Sequence, residues 1–562
     1  MARGKGQQTG NKASMWRSSS VLVHGKAGTG GTILKYPSVP SRISTQRLWW
    51  DLHRLVINSG PFPKSGVRSY HDGPTRISER KLKAFRELVS SDAQRQTIYA
   101  LSTAPGKAGV AVVRISGPDA LDAWKAMVQP YSSKKSQKAH PELWKLERCR
   151  VIDPNTGDVL DDGLAVFFKG PKSFTTQDVL ELHIHSGRAI ISSVLASLSR
   201  LPFCRPAEAG EFTRRAFEGG RLDLTQVEGL KDLINAETDS QRRIALQTAG
   251  GAARARFEEL RASIIKCLAM IEAIIDFGEG EDIEEGVYEQ ARERVEKLHA
   301  TITHHLSDNR RGEILRSGIR LAIFGPPNAG KSTLLNFLAQ REAAIVTAVP
   351  GTTRDILELS LDIGGLPVIV SDTAGLRHTD DLVESIGVER ARIAVQESDV
   401  SLCVLSLPDV VHHTEHGPEI QIPASLEPLI TPKTLFLLNK ADISRLDTLP
   451  VHHTGAKTWV TSLNTGDGTE QFLDDFAATL RERYEYSDDH SDDTPLITHA
   501  RHRTHLESAL RFLDAFLDTP ADDVVLAAEE LRYAAQAIGK VSGRVDVEDV
   551  LDSVFRDFCI GK

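Results

Sequence analysis

At 562 residues the chain is too long for one core, because domains hold roughly 100–200 residues. Hydrophobic residues make up 40% and charged residues 26%, which is typical of a soluble globular protein, and the net charge of −8 gives no global basic field. A local basic patch would still suffice to bind nucleic acid. The five cysteines are scattered without a CxxC pair, which argues against a disulfide framework or zinc cluster and favours a reducing compartment. No run of about 18 apolar residues occurs, so no membrane span is expected.

The N-terminal segment differs in kind from the rest of the chain. Eight Lys or Arg residues and no Asp or Glu lie between Met1 and Trp50. A basic, Ser-rich and acid-free composition is typical of an organellar transit peptide. We therefore expect residues 1–90 to be a mitochondrial transit peptide or disordered, and the protein to reach the mitochondrial matrix. A merely disordered basic tail is the alternative.

The rest of the chain divides by its periodicity into four segments. Short β-rich runs bounded by Gly and Pro predict an α+β domain over 94–219, and helical spacing dominates 220–315. Strands and helices alternate over 316–486, the pattern of a doubly wound parallel sheet, and helices resume over 487–562. Neither helical segment has an obvious independent core. The predicted fold class is therefore α/β plus α, with a doubly wound domain inserted into one helical bundle and preceded by the α+β domain.

A phosphate-binding loop is indicated at the start of the α/β segment. The apolar run Ile319–Phe324 leads into GPPNAGKS, and a helical pattern follows at once, which is the context that a P-loop requires. Glycines allow backbone amides to wrap the phosphates, the lysine reaches the β- and γ-phosphates, and the serine hydroxyl is placed for Mg²⁺. The predicted nucleotide-binding residues of the loop are Gly325, Asn328, Ala329, Gly330, Lys331, Ser332 and Thr333.

Three further motifs follow in the order that guanine-nucleotide binding requires. GTTRD contains Gly351 and Thr353, whose hydroxyl is a second candidate for Mg²⁺, and DTAG supplies Asp372 and Gly375 near the metal and the γ-phosphate. The last motif, NKAD, places side chains after another apolar strand: Asn439, Lys440 and Asp442. A carboxylate there accepts two hydrogen bonds from guanine, whereas adenine would leave it unpaired. The series predicts GTP and Mg²⁺ rather than ATP.

Position 376 departs from the Ras-like pattern, in which a glutamine after DxxG orients the attacking water. Leu376 cannot do this. Two nearby residues are candidates for replacing that function. Glu384 lies in the charged stretch that follows, and the amide oxygen of Asn328 could ligate a monovalent cation that neutralises developing charge. The alternative for Asn328 is that it simply shapes the loop.

These motifs resemble the MnmE/TrmE family of tRNA-modifying GTPases, including its mitochondrial members. The resemblance covers nearly everything after the first 90 residues. It rests on GPPNAGKSTLLN, REAAIVT, PGTTRD, DTAGLR, NKAD, the N-terminal GVAVVRISG and RPAEAGEFTRRAF, and most specifically the terminal FCIGK. An Era- or Der-like ribosome-assembly GTPase is the competing hypothesis. It is disfavoured because such proteins lack FCIGK and append a KH-type module, for which no pattern is evident here.

The resemblance implies a function, two protein partners and a second cofactor. Family members act with an FAD-dependent MnmG/GidA-type flavoprotein to build an aminomethyl-linked group on carbon 5 of the tRNA wobble uridine. The one-carbon donor is 5-formyl- or methylene-tetrahydrofolate, bound by the N-terminal domain. The G domains of a homodimer meet across K⁺ during GTP hydrolysis.

The resemblance also assigns roles to individual positions. Asn328, Thr347 and Thr352 correspond to the K⁺ ligands, Ser332 and Thr353 to the Mg²⁺ ligands, and Glu384 to the acid that orients water. Cys559 corresponds to the functionally implicated cysteine. The positions that correspond to folate-binding residues are Arg114, Glu181, Arg221 and Lys562.

The physical properties of the residues at the folate-binding positions are compatible with these roles. Arg114, Arg221 and Lys562 would attract the anionic tail of a folate, and Glu181 would accept from donor edges of its pterin. Arg114 could also be an ordinary solvated charge. His183 and His185 alternate with Glu181 on one strand face, but no third metal ligand is indicated, so ordinary packing is the favoured reading.

One departure from the family pattern concerns the last guanine-contacting motif. Where SA(K/R) is usual, the chain has Ser462, Leu463 and Asn464. Leu463 is bulkier than alanine beside the base. We therefore expect this departure to affect nucleotide affinity rather than base specificity. The inserted stretch over 407–430 gives no functional prediction.

Overall fold

The structure is a computed structural model. It describes residues 96–131, 140–277, 286–308, 310–341, 345–347, 358–370, 384–414, 417–444, 456–484 and 495–544, with Phe555, Phe558, Ile560 and Gly561. All of these residues belong to one compact unit. The proposed transit peptide, residues 1–90, lies outside the described residues. No described helix is long and apolar enough to cross a bilayer.

The N-terminal domain is a single mixed sheet with helices packed on it. Its strands run in the order β3-β4-β5-β6-β2-β1-β7, and all neighbours are antiparallel except β1 and β7. The strands are β1 (Thr97–Leu101), β2 (Ala111–Ser116), β3 (Val128–Pro130), β4 (Glu147–Ile152), β5 (Val159–Phe168), β6 (Val179–Ile184) and β7 (Cys204–Pro206). The helices are α1 (Ala120–Met127), α2 (Arg188–Ser199) and α3 (Glu211–Glu218). Alternation along β2 and β6 sends one set of side chains into the main core under α1 and α2.

Five helices follow in the described parts of 224–317, and no strand is described between them. They are α4 (Leu224–Asn235), α5 (Asp239–Ala249), α6 (Ala252–Phe277), α7 (Val287–Leu306) and α8 (Arg311–Ser317). The two short helices α4 and α5 begin sharply because Asp223 and Thr238 each form a capping box with a glutamine three residues later. This capping fixes the direction in which each helix leaves its connecting loop.

The α/β domain contains a seven-stranded sheet in the order β16-β15-β12-β8-β11-β10-β9. Its strands are β8 (Ile319–Phe324), β9 (Ile345–Thr347), β10 (Glu358–Ile363), β11 (Leu366–Val370), β12 (Val400–Ser406), β15 (Thr434–Asn439) and β16 (Thr458–Val460). Its helices are α9 (Lys331–Arg341), α10 (Glu384–Glu397), α11 (Leu407–Val410) and α12 (Thr469–Tyr484). The predicted parallel sheet is found from β16 to β11. β10 runs antiparallel to β11 because a two-residue turn joins them, and β9 pairs with β10 in antiparallel orientation as well. A separate hairpin, β13 (Val411–Thr414) and β14 (Gly417–Ile420), lies within the inserted stretch.

The last two described helices, α13 (Ala500–Asp518) and α14 (Val524–Ser542), pack against α6 and α7. Their buried residues share one apolar core, which includes Phe257, Ile264, Leu513, Phe516 and Leu531. The α/β domain therefore lies in sequence between two halves of one helical bundle. The prediction of an α/β sheet combined with a helical bundle is confirmed.

Buried charges join the two halves of this bundle. The Glu228 carboxylate on α4 accepts two hydrogen bonds of 2.9 Å from the Arg501 guanidinium, and it lies 2.8 Å from His502 Nε2. Burial alone would raise the pKa of Glu228, but His502 and Arg501 outweigh burial and lower that pKa below its usual range. Beside them, burial lowers the pKa of His499 to about 3. The cluster holds the start of α13 against α4.

The end of the chain returns to the N-terminal domain. Ile560 forms an antiparallel bridge with Ala209, and the Ser102 hydroxyl donates to the Gly561 carbonyl at 2.9 Å. Gly561 has a φ of +102°, and a Cβ there would overlap the Leu101 carbonyl oxygen. Only glycine fits this contact, which explains the glycine of FCIGK in this chain.

The low pKa of His499 predicts a specific dependence of stability on pH. A histidine that is neutral when folded stabilises the protein fully above its unfolded pKa of about 6.5 and progressively less as pH falls towards 3, because only the unfolded chain takes up the proton. His499→Gln should therefore reduce the loss of unfolding free energy between pH 6.5 and 4.5, by up to about 1.4 kcal/mol per pH unit. Urea unfolding across this range measures it, with the exposed His304→Gln as control. Equal slopes in wild type and His499→Gln would contradict the assignment.

Candidate nucleotide site

The predicted phosphate-binding loop connects β8 to α9 and depends on two glycines. Gly325 has a φ of +149° and Gly330 a φ of +105°. A Cβ at Gly325 would overlap the Val404 carbonyl oxygen, and a Cβ at Gly330 would overlap the side-chain nitrogen of Asn439. The loop therefore packs directly against the ends of β12 and β15. Both positions require glycine for backbone conformation and for space.

The polar side chains of the loop lie where phosphates would be bound. Lys331 Nζ donates to the Gly325 and Pro326 carbonyl oxygens at 2.9 and 2.7 Å, so its ammonium group lies over the loop. Ser332 and Thr333, in the first turn of α9, are exposed. Anions bind favourably at such helix N-termini, because the first amides have no partner within the helix. The geometry therefore suits a polyphosphate.

Asn328 adopts a φ of +59° and is exposed. Asparagine tolerates this left-handed conformation better than most residues. The conformation accounts for Asn328 as a loop-shaping residue, and its exposed amide is also accessible to a ligand. Ala329, by contrast, is buried in the core below the loop.

Asn439 links the phosphate loop to the last predicted guanine motif. Its side chain is buried, donates to the Ala329 carbonyl at 2.9 Å and accepts from the Leu463 amide at 3.1 Å. The Leu463 side chain packs against the core of the domain. The bulky residue in place of alanine is therefore accommodated, and its amide is held by Asn439.

Asp442 lies just beyond β15 and is exposed, as a base-recognising group must be. The Ser462 hydroxyl donates to its carboxylate at 2.6 Å, and this hydrogen bond lowers the pKa of Asp442. Ser462 itself is fully buried. A fixed, ionised carboxylate therefore faces solvent beside the loop that holds Gly330. Lys440 precedes it with a φ of +69°.

The remaining predicted residues of this site are only partly described. Thr347 is the last residue of β9 and Glu384 the first residue of α10. The other five lie outside the described residues: Gly351, Thr352, Thr353, Asp372 and Gly375.

The predicted folate residues of the N-terminal domain come together on neighbouring strands. Arg114 on β2 is paired in register with Glu181 on β6, and Arg114 Nε donates to Glu181 Oε1 at 2.8 Å. Burial alone would raise the pKa of Glu181, but His183 and Arg114 outweigh burial and lower it. The Arg114 guanidinium lies 5.4 Å from the ring centre of Phe174 and 5.8 Å from that of Phe212.

Arg221 approaches the same region, because its guanidinium donates to the Ser173 carbonyl at 3.0 Å, next to Phe174. Cys559 and Lys562 lie outside the described residues, but Gly561 between them is docked against Leu101 and Ser102. Residues distant in sequence thus converge around the neighbouring strands β6, β2 and β1 in the middle of the sheet. The aromatic neighbours of Arg114 carried no sequence signal of their own.

His183 and His185 do not form the candidate metal cluster. His185 pairs with Asp161 at 2.9 Å. Within the described ranges, the group of metal-binding atoms close enough for a common ion is Glu228, His499 and His502. Arg501 already occupies both oxygens of Glu228, so this group is an ion-pair cluster. Sequence reasoning missed it because its members lie about 270 residues apart.

A glycine-constrained loop of the phosphate-binding type, a bracing asparagine and an exposed, ionised carboxylate after β15 are the features of a P-loop GTPase domain. Comparison with known proteins agrees. The family model described as the MnmE helical domain matches residues 224–559, and that of the GTP-binding protein TrmE N-terminus matches residues 97–221.

Relatives resemble the chain over most of its length. The mitochondrial 5-taurinomethyluridine-[tRNA] synthase subunit GTPB3 of Danio rerio is 43% identical, covering 86% of this chain and 96% of the relative. The Homo sapiens protein of the same name is 40% identical, covering 87% and 97%. The tRNA modification GTPase MnmE of Parvibaculum lavamentivorans is 45% identical, covering 83% and 100%.

The chain belongs to the MnmE/TrmE family of tRNA modification GTPases. The predicted enzyme class, a GTP hydrolase acting in tRNA modification, is confirmed. The predicted mitochondrial location is confirmed by relatives named as mitochondrial, whereas the matrix and the transit peptide stay predictions.

The contact between Gly330 and Asn439 gives a direct test of the loop geometry. Gly330→Ala should weaken GTP binding at least tenfold, because the added methyl group displaces either the loop or its brace and the φ of +105° adds strain. The control is Gly466→Ala, which has a φ of +87° but open space around a Cβ. Fluorescent guanine-nucleotide titration measures both. Equal affinities of the two variants would refute the steric argument.

Proposed function

We propose that this protein hydrolyses GTP to drive the addition of an aminomethyl-linked group to carbon 5 of the wobble uridine of mitochondrial tRNAs. The observation that carries the proposal is the ionised Asp442, held by Ser462 beside the phosphate loop. The tRNA part is supported by family membership and by relatives named for tRNA modification and for taurinomethyluridine synthesis.

Selection of guanine follows from the chemistry of Asp442. Its carboxylate accepts hydrogen bonds from the N1–H and the 2-amino group of guanine. Adenine presents an acceptor at N1, so binding it would place two acceptors face to face and leave the carboxylate unpaired. Ser462 fixes the orientation of the carboxylate before the base arrives, which reduces the entropy cost of binding.

Asp442→Asn tests this role. An amide donates where the carboxylate accepted, so the variant should lose GTP affinity by about one to three orders of magnitude and gain affinity for xanthosine triphosphate, whose 2-oxo group accepts. Competition binding with both nucleotides measures the exchange. The control is Asp467→Asn, an exposed acid in the neighbouring loop. Unchanged preference for GTP in Asp442→Asn would remove the basis of the proposal.

The remaining nucleotide roles are proposed from the donor sets. The exposed Ser332 hydroxyl suits Mg²⁺, with Thr353 as its second protein ligand, since hard cations prefer oxygen. Asn328, with Thr347 and Thr352, would hold K⁺, and its exposed amide is compatible with this. Such cations supply positive charge beside the phosphates. Glu384, at the N-terminus of α10, would orient the attacking water. It would replace the glutamine of Ras-like enzymes, since position 376 is a leucine here.

The N-terminal domain is proposed to bind 5-formyl- or methylene-tetrahydrofolate, which would supply the one-carbon unit. Arg114 and Glu181 offer a donor and an acceptor side by side, and Phe174 and Phe212 add aromatic surface. Arg221 and Lys562 would attract the anionic tail of the folate. This donor set fits a flat heterocycle with an acidic tail, although Arg114 and Glu181 must exchange their mutual bond for bonds to the ligand.

The protein partners are also proposals. An MnmG/GidA-type flavoprotein would supply the redox step, and a homodimer would bring two GTPase domains together during hydrolysis. One group of relatives is named as a synthase subunit, which supports an obligatory partner. The added group is aminomethyl-linked in either case, so a taurine-derived group and a carboxymethylaminomethyl group are both compatible.

The whole proposal is tested in cells that lack this protein. Mitochondrial tRNA from such cells should lose the modified wobble uridine, and the wild-type chain should restore it. Cys559→Ser should hydrolyse GTP at the wild-type rate in vitro yet fail to restore the modification. Nucleoside mass spectrometry measures the tRNA. Unaltered nucleosides in the deletion strain would overturn the function, and full restoration by Cys559→Ser would overturn only the role of the cysteine.

A further inference from the structure

The hairpin of β10 and β11 spans the GTPase domain from the nucleotide side to the helical bundle. Its turn is Gly364–Gly365, with φ values of +60° and +89°, and the Gly365 amide donates to Asp362 at 2.7 Å. At the opposite end, β10 begins five residues after Thr353 and β11 ends two residues before Asp372. Strands of this length span about 17–20 Å. The turn is thus remote from the residues predicted to respond to the nucleotide.

The turn contacts the first helical turn of α5. The Ser240 amide, which has no partner within its helix at that position, donates to the Gly365 carbonyl at 3.2 Å. On the other side, Arg481 of α12 donates to the Gly364 carbonyl at 2.8 Å. The hairpin is therefore held between its own domain and the bundle.

The next residue of α5 extends this contact. Gln241 completes the capping box through its side-chain oxygen, which accepts from the Thr238 amide at 3.2 Å. Its side-chain nitrogen donates to the Arg316 carbonyl at 3.0 Å. Arg316 is in the last turn of α8, just before β8 and the phosphate loop.

The Arg316 side chain contacts two further segments of the junction between the GTPase domain and the bundle, namely the residues before α13 and helix α4. Its Nε donates to the Thr498 carbonyl at 2.8 Å, immediately before α13, and its Nη1 lies 3.4 Å from Asp232 on α4. One side chain thus connects the segments that lead into and out of the GTPase domain. Asp232 also lies 3.4 Å from His499, which joins it to the buried cluster around Glu228.

Apolar and polar contacts are mixed at this junction. Ile244 of α5 and Ile314 of α8 pack against the core of the GTPase domain, whereas the polar links through Gln241 and Arg316 border open space. A cavity of about 140 Å³ lies between α4, α5 and α8, lined by Asp232, Gln241, Ala245 and Arg316, among others. Close-packed interfaces resist small shifts, whereas polar links beside a cavity allow them. The polar links through Gln241 and Arg316 therefore have room to shift beside this cavity.

We propose that Gln241 and Arg316 are positioning residues that transmit movement of the β10–β11 hairpin to the start of α13. Binding of nucleotide shifts the ends of the hairpin, the turn displaces α5, and the Gln241 and Arg316 links carry the displacement across the bundle. This inference rests on the proposed function, because it requires GTP and GDP to interact differently with the segments at the ends of the hairpin.

Amide hydrogen exchange in the full chain tests the route at two positions. The Ser240 amide reports the hairpin contact, and the first-turn amides of α13 report the output, for instance that of His502, which bonds to the His499 carbonyl at 3.0 Å. In wild type both should exchange at different rates with GDP and with a non-hydrolysable GTP analogue. A change of roughly two- to tenfold is expected for one hydrogen bond.

Gln241→Glu isolates the proposed link. A glutamate keeps the side-chain oxygen of the capping box but loses the donor to Arg316, so the Ser240 response should persist while the α13 response disappears. Gln247→Glu makes the same charge change on an exposed part of α5 and should retain both responses. An α13 response in Gln241→Glu equal to that of wild type would overturn the route. Failure of wild type to bind either nucleotide would overturn the proposed function instead.

Discussion

The Glu228 carboxylate is the interaction on which the arrangement of domains depends. It lies in the first helix after the N-terminal domain, and its partners, Arg501 and His502, lie in the first helix after the GTPase domain. A buried carboxylate left without such partners is strongly destabilising, on the order of 3–5 kcal/mol. These contacts therefore tie together the helices on either side of the inserted domain, and removing Arg501 or His502 from the closed bundle would leave the buried charge poorly compensated.

The nucleotide site depends on close approach of the backbone rather than on a cavity. Gly325 and Gly330 let the phosphate loop contact the ends of two strands, and Asn439 joins that loop to the segment of Ser462 and Leu463. The segments proposed to recognise the base and to bind the phosphates therefore share one bracing side chain. A shift in either segment would move the other, which would couple the two ends of a bound nucleotide through the protein.

The N-terminal domain is joined to the end of the chain in a comparable way. Gly561 docks on Leu101 and Ser102, and Ile560 pairs with Ala209. Ile560 and Gly561 are thereby held beside β1, the strand that pairs with β2, which carries Arg114.

A catalytic cysteine must be accessible and must ionise readily, and the four described cysteines do not have these properties. They are all buried, and burial raises the pKa of Cys149 and Cys403 to about 12.

Local patterns in the sequence determined the classes of structure and the chemistry of the nucleotide site. The phosphate loop and the acid at 442 each extend over a few residues, so local spacing predicted them, whereas the capping boxes at Asp223 and Thr238 became evident only in the structure. Only the tertiary structure decided which distant groups meet. The Glu228 cluster, the Asn439 brace, the link through Gln241 and Arg316, and the aromatic rings around Arg114 left no local periodicity. The antiparallel β10 was also missed, although Gly364–Gly365 between two strand-like runs is itself a hairpin signal. Contacts between residues hundreds of positions apart arise from the fold as a whole, since they depend on how already formed elements pack.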